Sequence, residues 1–401
     1  MSDIKLSDCV GRIKESPTLA ITAKAARYKS EGKDIIGLAA GEPDFDTPQH
    51  IKDAAKKAID NGFTKYTPVS GIPSLKKAII EKFKRDNNLE YNSNEIIVGV
   101  GGKQCIFNFC LAVLNAEDEV IIPAPYWVSY ADIALVSNAK PVIVECGIEQ
   151  KFKMTAEQLE KAITPKTKLL MLNSPSNPTG AVYSKEELES LAKILTKHPN
   201  ILIGTDDMYE HVKLKDMPFY NILNVEPSLK DRCVVMNGVS KAYSMTGWRI
   251  GFAAGPSYII KAMEILQSQS TSNPTSISQV AAEAALSGEQ ACMQPMIKAF
   301  RERHDYVVKS FNEIPGLSCI EAQGAFYAFP DARKAIERLY DQKILQEKTD
   351  LALADYLLEK EGVAVVPGSA FGSDGYFRIS FATSMDNLVE AMKRIKRALT
   401  V

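Results

Sequence analysis

Seven short apolar runs punctuate the middle of the chain: Ile96–Val100, Val120–Pro123, Pro141–Val144, Leu169–Leu172, Ile201–Gly204, Val234–Met236 and Ile250–Ala254. They are rich in β-branched residues and do not alternate strictly with polar ones. That is the pattern of strands buried on both faces of a parallel sheet. Stretches of helical period lie between them. Pro73 stands near the first position of one, with Leu75, Ile79 and Phe83 following at a spacing of four. Thr155 with Gln158 and Ser184 with Glu187 read as capping boxes opening two more. The alternation predicts an α/β fold with crossover helices.

The C-terminal part has another rhythm. Residues 293–312 read as one long helix, followed by an apolar run at Gly324–Phe329 and a helix over 350–361 that Gly362 ends. Further runs at Val363–Val366 and Phe377–Phe381 precede a last helix, where Leu388, Met392, Ile395 and Leu399 share a face. This predicts a smaller α+β unit. The pattern does not place the first 40 residues. A length of 401 residues suits two to three domains.

Composition narrows the function. Lys plus Arg number 48 and Asp plus Glu 49, for a net charge of −1, which excludes a broad basic footprint for nucleic acid or an anionic membrane. No apolar run approaches a membrane span, and the N-terminus lacks signal-peptide character. The seven cysteines are scattered without a CxxC, so reduced thiols and a cytoplasmic location are expected. Four dispersed histidines make no metal-ligand pattern, and no metal is expected.

The chemistry-bearing residues gather where predicted strands end, the place where ligands bind in parallel α/β sheets. Gly99-Val-Gly-Gly-Lys103 is a glycine-rich turn leading into a helix, a potential phosphate site. Asn177 lies in a loop stiffened by two prolines and closed by Gly180. Asp206 and Tyr209 follow another strand, and Lys241 follows Val234–Met236 within five residues. A buried lysine there has the makings of a Schiff-base nucleophile. Each feature alone has a plainer counterpart: an ordinary turn, an N-cap aspartate, a half-buried tyrosine, a solvated loop lysine. Together they supply a phosphate cradle, an amide, an acid, a phenol and a lysine, the inventory that pyridoxal 5′-phosphate requires.

The chain resembles the class I pyridoxal-phosphate aminotransferases of fold type I, in the bacterial aspartate/prephenate branch. The resemblance runs almost end to end: GLAAGEPDFDTP (37–48), KYTPVSGIPSLKKAI (65–79), VGGKQ (100–104), PAPYWVSY (123–130), NSPSNPTGAVY (173–183), the Asp206/Tyr209 pair, SKAYSMTGWRIGF (240–252), GAFY (324–327), GVAVVPG (362–368) and FRISFATS (377–384). It implies a large domain with a mostly parallel seven-stranded sheet flanked by helices, plus a smaller α+β domain formed by both chain ends. The implied divisions are 1–44 for the N-terminal arm and part of the small domain, 45–289 for the cofactor-binding domain, and 290–401 for the connecting helix and small domain.

The resemblance also implies roles. Lys241 would link covalently to pyridoxal 5′-phosphate and move protons. Asp206 would hold the pyridinium proton, Tyr209 and Asn177 the phenolate oxygen. Trp127 would stack on the ring. Gly101, Gly102, Lys103 and Arg249 would surround the phosphate, joined by Tyr66 from the neighbouring subunit of a homodimer. Gly41 would let the backbone approach the substrate, and Arg378 would clamp the α-carboxylate. On pattern alone, Arg378 alternates with Phe377, Ile379 and Phe381, which suits a cleft or an exposed edge equally.

Specificity follows less directly. Lys103, Ser16 and Thr18 match positions that bind a dicarboxylic side chain in this branch, and Arg12 is a candidate for prephenate. The expected activity is transamination of L-aspartate with 2-oxoglutarate, extending to prephenate. An aromatic or alanine aminotransferase is the alternative on the same fold. A regulator with this fold behind a DNA-binding domain is not expected, because the match begins near residue 12. The stretch Arg333–Gln346 has no counterpart in the family pattern.

Overall fold

The computed structural model describes residues 5–13, 15 and 17–400. Its strands in chain order are β1 (Ile36–Gly37), β2 (Ile96–Val100), β3 (Glu119–Ala124), β4 (Lys140–Glu145), β5 (Thr167–Asn173), β6 (Leu202–Asp206), β7 (Cys233–Gly238), β8 (Ile250–Ala254), β9 (Tyr327–Ala328), β10 (Val363–Ala364), β11 (Val366–Pro367) and β12 (Phe377–Ser380). The seven apolar runs become β2 to β8, which form one sheet in the order β2-β8-β7-β6-β5-β3-β4. All neighbours are parallel except β8, which runs against both β2 and β7.

The period of two along these strands divides the core into two layers. Ile96, Val98, Ile121, Leu170, Leu172, Val235 and Phe252 point to a layer built with helices Pro73–Asn87, Lys185–Leu195 and Ser276–Ser287. Ile97, Val120, Ile122, Leu169, Met171, Val234 and Ala253 point the other way, to helices Gly102–Val113, Ser129–Val136 and Ser257–Ser268. Both faces are covered, which is why the runs read as continuously apolar. The edge strand β4 departs from that expectation. It is half-open, with Ile143 38% exposed, whereas the opposite edge strand, β2, is covered by helices Pro73–Asn87 and Ser257–Ser268.

Local signals act as expected. Pro73 sits in the first turn of its helix, both capping boxes form, and Gly362 closes helix Asp350–Glu361 in the left-handed conformation at φ 68°.

A third core joins helices Gln294–Asn312, Asp350–Glu361 and Met385–Leu399 to β9 and β12. Ile36 and Leu38 enter it from the other end of the chain, and β1 pairs in parallel with β10. Two apolar runs are cut shorter here than their composition suggests. Val363–Val366 splits at Val365: β10 pairs with β1, whereas β11 turns to pair antiparallel with β12. Of Gly324–Phe329 only Tyr327–Ala328 is strand. Ala325 has φ 58°, and the Gly324 and Ala325 N–H groups donate to the carbonyls of Gly180 and Val212 rather than to a ladder.

Phe311 is fully buried in the third core, edge-on to Phe377 at 5.7 Å. Phe311→Ala is expected to lower unfolding free energy by about 3–5 kcal/mol in a denaturant titration. Tyr340→Ala, at a side chain 42% exposed, should change it by no more than about 0.5 kcal/mol.

Candidate active site

The carboxyl ends of β5, β6 and β7 lie side by side, with Asn173 opposite Asp206 and Asp206 opposite Met236. A cavity of about 410 Å³ opens over them. Asp206 is buried in its floor. One carboxylate oxygen accepts from the Tyr130 hydroxyl at 2.6 Å and the other from the Met208 N–H at 3.2 Å. Burial pushes the Asp206 carboxyl up, and these two donors oppose it.

The loop 173–180 is fixed by its own bonds. The Asn177 N–H donates to the Asn173 side chain at 2.8 Å, and the Gly180 N–H to the Ser176 carbonyl at 2.8 Å. Asn177 Oδ1 then accepts from Arg378 Nη1 at 2.8 Å, which leaves its amide NH₂ as a donor. Arg378 is 2% exposed, so it is a cleft arginine and not an edge one. Its Nη2 donates to the Ala39 carbonyl at 2.6 Å, and its guanidinium lies 4.5 Å from the Tyr327 ring centre. Its Nε is buried without a partner among the described residues. An orphaned donor on a buried cation is what a carboxylate ligand would satisfy.

Lys241 enters three residues beyond β7, and its amine donates to the Gly41 carbonyl at 2.5 Å. Loss of water lowers its pKa first and the nearby Arg378 second, to about 8, with Glu42 opposing. The glycine-rich turn closes another wall. Gly101 has φ 80°, and a Cβ there would meet Arg249 Nη2 at 2.4 Å. A Cβ on Gly251 would lie 2.2 Å from the Gly102 nitrogen. The backbone amides opening helix Gly102–Val113 therefore stand beside Arg249 in a cradle that only glycine leaves open. Lys103 Nζ lies 5.0 Å from the Trp127 ring, and loss of water, then Arg249, lowers its pKa.

The cavity wall thus brings together Thr18, Gly41, Gly102, Lys103 and Trp127 with the strand-end residues Asn177, Asp206, Tyr209, Lys241 and Arg249, and with Arg378. Gly101 stands directly behind Gly102. Two expected residues do not reach the cavity of their own chain. Arg12 ends the exposed helix Asp8–Arg12, and Tyr66 is 93% exposed in a loop. Ser16 lies outside the described residues. The stretch after Arg333 forms helix Arg333–Asp341, and none of it lines the cavity.

Residue patterns alone passed over Tyr130, which supports Asp206, and Tyr327, whose hydroxyl lies 2.8 Å from that of Tyr209. Both fall in quoted motifs, PAPYWVSY and GAFY. A lone tyrosine in an apolar segment carries no sign of its partner. Behind the site, Asp86, Glu210 and His211 place ligand-type atoms within 4.8 Å of one another. Glu210 already contacts Lys82 and accepts from Asn87 at 2.6 Å and Asn237 at 3.0 Å.

The family model for aminotransferase class I and II matches residues 33–395. The chain belongs to this family. It is 64% identical over 397 residues, 99% of this chain and 100% of the other, to an aspartate/prephenate aminotransferase of Nitrosomonas europaea. An aspartate/prephenate aminotransferase of Cereibacter sphaeroides is 53% identical, with 98% of both chains covered. Among solved structures, the aspartate aminotransferase of Rhizobium meliloti superposes with a TM-score of 0.93 at 48% identity over 99% of both chains. That of Thermus thermophilus with maleate gives 0.92 at 41% identity, covering 98% of this chain and 100% of that one. This aminotransferase shares their α/β architecture throughout.

Gly251→Ala should push the Gly101–Gly102 turn out of place. The expected result is a loss of roughly 1–3 kcal/mol in denaturant unfolding and weaker binding of inorganic phosphate by calorimetry. Gly37→Ala, where a Cβ meets nothing within 4 Å, should leave phosphate binding unchanged.

Proposed function

We propose that this aminotransferase uses pyridoxal 5′-phosphate to transfer the amino group of L-aspartate to 2-oxoglutarate, giving oxaloacetate and L-glutamate, and that it accepts prephenate to give arogenate. One observation carries the proposal. A lysine with a lowered pKa shares one cavity with two further cations, Arg378 and Lys103, which suits a substrate with two carboxylates. The names of the curated relatives agree with it.

The donor set fits the cofactor. Asp206 would hold the pyridinium proton, supported by Tyr130. Tyr209 and the free amide of Asn177 would donate to the phenolate oxygen. The backbone of Gly101, Gly102 and Lys103, with Arg249, would bind the phosphate, leaving the Lys103 amine for the substrate, and Trp127 would cover the ring. Once bound, the cofactor supplies an electron sink for the substrate carbanion. The chain supplies the rest. Lys241 Nζ is the nucleophile and then takes and returns the proton at the substrate Cα. Its pKa, lowered to about 8, raises the neutral fraction available for that task. Arg378 fixes the α-carboxylate through its unpaired Nε, beside the Gly41 backbone. Lys103, with Thr18, Ser16 and Arg12 of the N-terminal arm, would bind the side chain.

The remaining organisation belongs to the same proposal. The chain divides at 1–44, 45–289 and 290–401, supported by the β1–β10 pairing and the separate third core. It acts as a homodimer in which Tyr66 reaches the neighbouring cofactor. The exposure of Ile59, Phe63 and Tyr66 supports a covering partner. No helix among the described residues is long and apolar enough to cross a membrane.

The wild-type protein should show a visible band that aspartate shifts and 2-oxoglutarate restores. Lys241→Ala should lose both turnover and any borohydride-reducible adduct. Lys103→Ala should lower kcat/KM for aspartate by about 10–100-fold while sparing alanine. Equal losses on both substrates would favour another side-chain specificity.

The lowered lysine pKa gives a pH dependence. The neutral amine is the reactive form and is lost as pH falls below about 8. Capture of added cofactor by cofactor-free protein should therefore slow about tenfold per unit below that pH and level off above it. A rate still climbing towards pH 10 would mean an unperturbed lysine.

A further inference from the structure

Tyr327 has no assigned part in the scheme above, yet it touches three of its members. It is fully buried on β9. Its hydroxyl lies 2.8 Å from the Tyr209 hydroxyl, and its ring lies under Arg378. A Cβ on Gly41 would come within 2.9 Å of that same hydroxyl, so Tyr327 also abuts the backbone that accepts from Lys241.

The placement is enforced from both sides. The Ala325 N–H donates to the Val212 carbonyl at 2.9 Å, and the Leu214 N–H to the Gln323 carbonyl at 3.0 Å. These bonds lock the segment entering β9 to the segment leaving Tyr209. The Tyr209 ring packs edge-on against both Phe326 and Tyr327, at 5.6 and 5.7 Å. Its ring is therefore fixed, and the rotation of its O–H is the freedom that remains. A phenol has one proton to donate and lone pairs to accept. If the Tyr209 proton points at the ring oxygen of a bound cofactor, Tyr209 can only accept in its 2.8 Å contact with the Tyr327 hydroxyl. Tyr327 is the hydroxyl in reach.

We propose that Tyr327 is a positioning residue, whose hydroxyl donates to Tyr209 and so turns the Tyr209 proton toward the cofactor's phenolate oxygen. This rests on the function proposed above. Chained hydroxyls polarise one another, so the donation also strengthens the Tyr209 hydrogen bond. The charged and titratable groups facing this pair are Arg378 above Tyr327, Asp206 on the strand before Tyr209 with the Tyr130 phenol bound to it, and the Lys241 amine 5.8 Å from the Tyr209 ring.

The test is the pH titration of the visible band of the holoenzyme. Tyr327→Phe keeps the ring under Arg378 and removes one oxygen. Weaker donation to the phenolate oxygen should move the midpoint upward, by about half a unit. Tyr209→Phe should move it further in the same direction, and adding Tyr327→Phe to Tyr209→Phe should move it no more. A midpoint unmoved in Tyr327→Phe would overturn the proposal and leave the cofactor assignment standing. So would an equal shift in the Tyr209→Phe background, because Tyr327 would then act without Tyr209. Absence of a titrating band in the wild-type protein would overturn both. A thermal melt of Tyr327→Phe with its band intact separates this effect from misfolding.

Discussion

One buried carboxylate ties together the elements that carry the cavity residues. Glu210 is 4% exposed, and its two oxygens meet Lys82, Asn87 and Asn237, with His211 at 3.2 Å. Burial alone would raise its pKa, but Lys82 and His211 hold it well below the usual carboxylate range. The partners come from helix Pro73–Asn87, from the segment after β6 and from β7. A buried charge stripped of its partner costs about 3–5 kcal/mol, so these three elements cannot move apart singly. Glu210 directly follows Tyr209, and Asn237 lies four residues before Lys241. The acid, the phenol and the lysine thus inherit their spacing from an ion cluster that lies behind them.

On the cavity side the balance is reversed. Behind the site nearly every charge is matched; inside it, cations predominate. Arg378, Lys241, Arg249 and Lys103 share one wall system, with one Arg378 donor left without an acceptor among the described residues. Lost hydration first, and their mutual repulsion second, depress the lysines. A cofactor phosphate and substrate carboxylates would relieve this stress. The near-zero net charge of the chain conceals it, because 48 basic residues are averaged against 49 acidic ones regardless of position.

Much of the sheet was legible because a strand covered on both faces has a pattern of its own. All seven apolar runs became strands of one sheet, and two of them, Ile96–Val100 and Ile250–Ala254, have the same limits in the structure. Short runs in the C-terminal part were less legible. Whether Val363–Val366 is one strand or two depends on β1 and β12, which arrive from residues far away in the chain. The reversed direction of β8 is likewise invisible in its composition, since an apolar run reads the same both ways. Of the site, the lysine, the acid and the glycine turn announced themselves by following strands. Arg378 stayed ambiguous between edge and cleft until its burial was known, and Tyr130 and Tyr327 had nothing to mark them.

The sequence by itself determined the α/β class, the helix caps and the strand ends at which polar residues collect. These depend on local periodicity and on the geometry of Pro, Gly and capping side chains, which are properties of neighbouring residues. Tertiary structure alone decided which donors face which acceptors. That Tyr130 supports Asp206, that Arg378 orients Asn177 and that Tyr209 meets Tyr327 are contacts across 76, 201 and 118 residues. Such pairings arise only when packed layers bring distant segments within 3 Å, and no local pattern encodes that distance.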